Sequence, residues 1–124
     1  VPKSLPSLIK AQRLQQKASY VGFDWDKIDK VWGKVNEEFL ELKEAEMIGD
    51  NKKIEEEIGD LLFSIVNLSR HFDISAENAL RQTNRKFVRR FRKVEEKIKA
   101  TGKEFDEVNL EEMDSIWNQI KHNE

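Results

Sequence analysis

The stretch Lys34-Val35-Asn36-Glu37-Glu38-Phe39-Leu40-Glu41, and then Lys53-Ile54-Glu55-Glu56-Glu57-Ile58-Gly59-Asp60, presents one device twice. A lysine is followed by a carboxylate at i+4 and another at i+7: Lys34, Glu38, Glu41, then Lys53, Glu57, Asp60. On a helix such residues share one face. Beside them run apolar residues at helical spacing. Ile28, Val31, Trp32, Val35, Phe39, Leu42 and Ala45 make one stripe. Ile54, Ile58, Leu61, Leu62, Ile65, Leu68 and Phe72 make the other. Gly49-Asp50-Asn51 interrupts the pattern with stop and start chemistry. The reading is two helices, over about 27–48 and about 51–71. Packed antiparallel by their stripes, they bring their acidic flanks together.

The rest of the chain extends this into an all-α fold of antiparallel helices. Both prolines fall within the first six residues. Residues 1–5 read as a linker, and 6–124 as one helical domain. A first helix over about 6–20 carries Leu8, Ala11, Leu14 and Ala18, with Pro6 in its first turn. Gly22-Phe23-Asp24-Trp25 is a turn, with Asp24 or Asp26 as cap of the next helix. Ser75 caps a fourth helix reaching about Ala100 through Phe87, Phe91, Val94 and Ile98. Asn109 and Glu112 resemble a capping box before a last helix carrying Met113, Ile116, Trp117 and Ile120.

Composition removes several classes of function. A net charge of −2 argues against a dedicated nucleic-acid binder, which carries a basic excess. With no cysteine, thiolate catalysis, disulfides and Cys-ligated zinc are excluded, and a reducing, cytoplasmic setting fits. No apolar run approaches the ~20 residues that span a bilayer. Nothing resembles a phosphate-binding P-loop or a serine triad. The Glu-x-x-His pattern of di-iron bundles is absent, since Leu68 stands three residues before His71. His71 reads as a partner of its helix's C-terminal dipole.

Clustered carboxylates repel, at roughly 4 kcal/mol per unit pair ~4 Å apart in a surface-like dielectric. A hard divalent cation, Mg2+ or Mn2+, makes such a cluster favourable. The simpler alternative is two solvated faces braced by Lys34–Glu38 and Lys53–Glu57 pairs, worth ~0.2–0.5 kcal/mol each. Position favours the cation, because the carboxylates border the apolar stripes and do not lie opposite them. Lys86, Arg90, Lys93 and Lys97 add a basic stripe on the fourth helix. Such a stripe suits either acidic protein neighbours or the phosphates of a magnesium–polyphosphate ligand. Trp32 belongs to a core stripe. Phe23 and Trp25, in a turn, are the better candidates for stacking on a base.

These residues resemble the MazG family of nucleoside triphosphate pyrophosphohydrolases. The family pattern, ExxE, a spacer, then ExxD, reads here Glu38-Phe39-Leu40-Glu41 and Glu57-Ile58-Gly59-Asp60. Phe23-Asp24-Trp25-Asp26, Val66-Asn67-Leu68-Ser69-Arg70-His71 and Asn84-Arg85-Lys86-Phe87-Val88-Arg89-Arg90-Phe91 extend the resemblance along nearly the whole chain. It is most similar to the C-terminal domain of a two-domain MazG. The resemblance implies that Glu38, Glu41, Glu57 and Asp60 bind Mg2+. It implies that Lys34, Lys53, Lys86 and Arg90 contact the triphosphate, with Trp117 and Lys121 near the nucleotide. It also implies a homodimer, or a higher homo-oligomer, whose helices complete four-helix bundles. The implied reaction is hydrolysis of a nucleoside triphosphate between the α and β phosphates. Glu41 or Glu37 is the candidate general base. The contrasting expectation is a non-catalytic helical dimerisation or nucleotide-binding domain of a larger protein.

Overall fold

Short breaks with identifiable start and stop signals divide the chain into helices. The computed structural model describes all of residues 1–124, which form α1 (Ser7–Ser19), α2 (Ile28–Ile48), α3 (Asn51–His71), α4 (Ala76–Ala100) and α5 (Leu110–His122). A single 3₁₀ turn spans Phe105–Glu107, and no strand occurs, so the fold is all-α as expected. No helix is long and apolar enough to cross a membrane.

Gly49 ends α2 in the left-handed region, at φ 80°, where a side chain would be strained. The next residue, Asp50, starts α3, its carboxylate accepting from the backbone N–H groups of Lys52 (3.1 Å) and Lys53 (3.4 Å). Two residues therefore reverse the chain, and α2 and α3 pack as antiparallel neighbours. Ser75 caps α4 by accepting from Asn78 N–H at 3.2 Å. Asn109 accepts from Glu112 N–H at 2.8 Å, while the two-way capping box forms at Glu104 and Glu107 instead. Pro6 stands at the N-cap of α1, one residue outside the helix, and its carbonyl accepts from Lys10 N–H. Neither Asp24 nor Asp26 caps α2; Lys27 holds that position without a side-chain bond.

The chain divides into two compact units, residues 1–79 and 80–124. In the second, Val94, Ile98, Val108 and Ile120 form a buried core flanked by Phe105, Met113, Ile116 and Trp117. Phe91 stacks on Phe105 with ring centroids 5.7 Å apart, and Phe87 meets Trp117 at 5.3 Å.

In the first unit, the packing of α2 on α3 corrects one expectation. The buried residues of α2 are Val31, Glu38 and Ala45, a line with a seven-residue repeat. Those of α3 include Glu57 and Ser64, again seven apart. The large apolar residues lie elsewhere: Trp32 is 47 % exposed, Phe39 46 % and Leu62 50 %. Ala45 and Ser64, both small, continue the lines on which Glu38 and Glu57 are buried. The bulky stripe is left on an outer face. Trp32, expected in the core, belongs to that face.

The Asp50 cap is the local determinant of where α3 begins. Asp50→Ala is expected to lower stability by about 1 kcal/mol, measured as a lower urea midpoint with an unchanged slope.

Candidate functional site

Glu38 of α2 and Glu57 of α3 are buried on their seven-residue lines, and Glu41 joins them in one cluster. One carboxylate oxygen from each of Glu38, Glu41 and Glu57 lies within 4.8 Å of the other two. Glu38 is 6 % exposed and Glu57 9 %. Each keeps one oxygen, Oε2, shielded from solvent and without a hydrogen-bond partner. Asp60 is exposed and outside this trio, but it lines the same cavity as Glu38.

Lys34 sits one turn before Glu38 and bridges Glu37 (3.0 Å) and Glu38 (3.1 Å). Hydrogen bonds to Glu37 and then Glu38 raise its pKa above the ordinary lysine value. Glu41 responds in the opposite sense to crowding by like charge. Hydrogen bonding to Glu38 and repulsion by it, with Glu57 adding to both, push the Glu41 carboxyl up to about 7. Three carboxylates close together cannot all ionise freely, so one holds its proton.

A cavity of about 570 Å³ opens beside the trio. Lys34, Glu38 and Asp60 form its charged end, and Leu14, Ala18 and Phe63 give apolar lining. The loop residues Phe23, Asp24 and Trp25 also border it, with Gln15, Ser64, Asn67 and Arg70. Asp24 fixes the loop. Its Oδ1 accepts from Arg70 Nη2 (2.6 Å) and from the Trp25 N–H (2.8 Å), and lies 3.0 Å from His71 Nε2. Burial acts to raise the Asp24 pKa, but the bonds from Arg70, Trp25 and His71 outweigh it and hold it below the usual value. The cap assigned to Asp24 from sequence is thus a tether between the loop and the last turn of α3.

The other candidate residues are placed as follows. Glu37 is exposed and bound to Lys34. Lys53 is exposed in the first turn of α3. Lys86, Arg90, Trp117 and Lys121 belong to the second unit, on α4 and α5. There the Arg90 guanidinium lies 5.8 Å from the Trp117 ring centre and bonds the Glu124 carboxylate at 2.7–3.0 Å. That bond to Arg90 holds the Glu124 carboxyl down at about 2. Gln15, Asn67 and Arg70 have no site role in the sequence reading, although Asn67 and Arg70 stand in a segment that carries the family resemblance. Gln15 had a signal: it follows Ala11 by four residues and precedes Ala18 by three, on the apolar face of α1.

The donor set is all oxygen and two of its oxygens are orphaned, which suits a hard divalent cation. Fold and site thus define an all-α protein with a carboxylate cluster buried between two antiparallel helices. The MazG nucleotide pyrophosphohydrolase domain model matches residues 29–95, more than half of the chain, so the chain belongs to that family. It is 45 % identical, over its whole length, to the nucleoside triphosphate pyrophosphohydrolase of Escherichia coli strain K12, covering 48 % of that protein. Over 94 % of the chain it is 49 % identical to the nucleoside triphosphate pyrophosphohydrolase/pyrophosphatase MazG of Thermotoga maritima, covering 45 % of that protein. The uncharacterized protein YabN of Bacillus subtilis is 47 % identical across 55 % of the chain, which covers 14 % of it. The chain therefore spans about half the length of the first two relatives.

The Glu41 shift has a definite sign. Its carboxyl holds a proton more tightly in the folded chain, at about 7 against 4.5, so its contribution is complete below pH 4.5 and lost as pH rises to about 7. With a chelator present, the stability of Glu41→Gln is expected to fall less across this window than that of the unaltered chain. Urea denaturation at a series of pH values measures the difference; parallel curves contradict the carboxylate crowding.

Proposed function

We propose that the chain hydrolyses nucleoside triphosphates, ribose or deoxyribose, between the α and β phosphates, releasing a nucleoside monophosphate and pyrophosphate. The single observation that carries the site is the pair of buried, unpartnered Oε2 atoms of Glu38 and Glu57, in a chain of the MazG family. Unpaired buried carboxylate oxygens are expensive, and a cation is the partner this donor set suits. The ligands in this reading are Glu38, Glu41, Glu57 and Asp60, and the ion is Mg2+, with Mn2+ as the chemically similar substitute. When bound, the ion supplies neutralisation of phosphate charge and a more acidic water.

The chain's own residues do the rest. Lys34, at the charged end of the cavity, offers its ammonium to the phosphates, and Lys53 adds charge from the start of α3. Lys86, Arg90, Trp117 and Lys121 are proposed to meet the nucleotide in the assembled protein. Glu41 is the preferred general base: it belongs to the trio and is less buried than Glu38 or Glu57. Glu37 is second, being held by Lys34. The half-length match to the relatives supports reading the chain as the counterpart of one domain, on its sequence the C-terminal one, of a longer protein.

Homodimerisation is part of the proposal. Trp32, Phe39, Ile58, Leu62 and Ile65 lie on α2 and α3 with about half of their surface exposed. Large apolar side chains in such numbers on consecutive helices suit a helix-on-helix partner. A second copy of the chain brings the same face and completes a four-helix arrangement.

Two experiments test this reading. With Mg2+ and a panel of NTPs and dNTPs, pyrophosphate is the expected product. Glu38→Gln combined with Glu57→Gln should reduce kcat by about two orders of magnitude or more while helicity is kept. Orthophosphate as the sole product, or full turnover in the double variant, contradicts the assignment. In sedimentation experiments Phe39→Glu with Leu62→Glu should move the protein from dimer to folded monomer. An unaltered chain that sediments as a monomer contradicts the assembly.

A further inference from the structure

Residues 81–93 of α4 carry seven basic side chains and no acidic one. Six of the seven are exposed, and Arg90 is the exception. Its side chain keeps only 12 % of its surface open. Two side chains hold it. The Trp117 ring centre lies 5.8 Å from the guanidinium carbon, and that ring is itself packed on Phe87. Glu124, two residues past α5, accepts from Arg90 Nε with both oxygens at 3.0 Å and from Nη2 with Oε2 at 2.7 Å. A guanidinium is a flat, rigid fork, and an oxyanion can grip it along its side edge or across its end. Glu124 takes the side edge, Nε with Nη2, and does not use Nη1. The surroundings stay positive. Arg89 Nη2 lies 3.6 Å from Glu124, and the charge of Lys93 acts on the same carboxylate. Three cations therefore share one anion.

We propose that Glu124 is a positioning residue, holding the Arg90 guanidinium by its side edge so that the end of the fork is presented to the phosphates of the substrate. The inference rests on the nucleotide reading above, in which Arg90 meets the nucleotide, and adds to it a residue that touches no ligand. The gain is entropic. A long side chain gives up rotamer freedom when it grips an anion, and an arginine already fixed has less to lose. The drawback is a negative charge beside a phosphate, which Arg89 and Lys93 offset. The opposite role for Glu124, an anion that has to leave before phosphate enters, reverses the sign of every expected result.

The probe is inorganic tripolyphosphate. It is titrated into the isotope-labelled full chain with chelator present and followed by NMR at the Arg90 Nε–H and the Trp117 indole N–H. In the unaltered chain both signals should shift while the Nε–H stays protected from exchange, because its bond to Glu124 persists. Lost protection on binding shows Glu124 displaced and overturns the proposal, as does the absence of binding; this arm needs no variant. Glu124→Gln should weaken binding roughly three- to tenfold, the scale of ordering one long side chain. Charge alone predicts the reverse, since the variant removes a negative group, so equal or tighter binding overturns the proposal. The effect has to pass through Arg90. In an Arg90→Lys background Glu124→Gln should no longer weaken binding, and the same weakening in both backgrounds overturns the positioning role in favour of a merely structural one. Pyrophosphate release with a KM unmoved by Glu124→Gln overturns the positioning role and leaves the hydrolase reading intact. Weakened tripolyphosphate binding in a chain that releases no pyrophosphate does the reverse.

Discussion

Glu38 and Glu57 lie buried and close together on the contacting helices α2 and α3, and the first unit has to offset their mutual repulsion. At the closeness of this trio, Coulomb repulsion amounts to a few kcal/mol per charged pair at an intermediate dielectric. Three features oppose it. Lys34 neutralises one Glu38 oxygen. Glu41 retains its proton up to about pH 7. Val31, Ala45 and Val66, almost wholly buried, supply apolar packing along the same helices. What is left over is directional: two shielded oxygens with no partner, on different helices. A buried cluster of this kind opposes folding by itself, and its value lies in the ligand it prepares for.

The helices were legible in the chain because their ends carry local chemistry. Gly49, Asp50, Ser75 and Asn109 act through their own backbone neighbours, and each stands where its residue type suggests. The acidic pairs were legible for a similar reason, since i, i+3 spacing is a property of a single helix. Which face turns inward is a different question. Trp32, Phe39 and Leu62 are hydrophobic enough to define a core, and on hydrophobicity alone they should. The structure buries Val31 and Ala45 of the α2 stripe together with Glu38, and leaves the bulky Trp32 and Phe39 about half exposed. The bulky stripe then has a face of its own. Hydrophobicity showed that the stripe is to be covered, but not by what.

The cavity was the least legible part. It draws on α1, the loop at Gly22–Trp25, α2 and α3, which no single periodicity connects. Asp24 shows why. From its neighbours it reads as a cap, yet its partners are Arg70 and His71, more than forty positions away. Gln15 was visible only as a polar residue on an apolar face, and such a residue acquires meaning when its partners are known. Its side-chain amide donates a hydrogen bond to the Phe63 carbonyl, so one side chain ties α1 to α3 while its Oε1 stays shielded and without a partner.

The two-residue connection between α2 and α3 has a consequence for how the gene can change. The carboxylates meet because both helices are counted from the same reversal at Gly49 and Asp50. One codon gained or lost between that reversal and Glu41, or between it and Glu57, rotates one helix by ~100° and slides it ~1.5 Å relative to the other. The acidic residues then leave the shared face although every one of them is still encoded. Insertions and deletions in these segments are therefore filtered twice, by rotation and by axial shift: even seven residues, which nearly restore the rotation, slide the helix by about 10.5 Å and part the carboxylates. Before α1 no such count applies, and length there is free to drift.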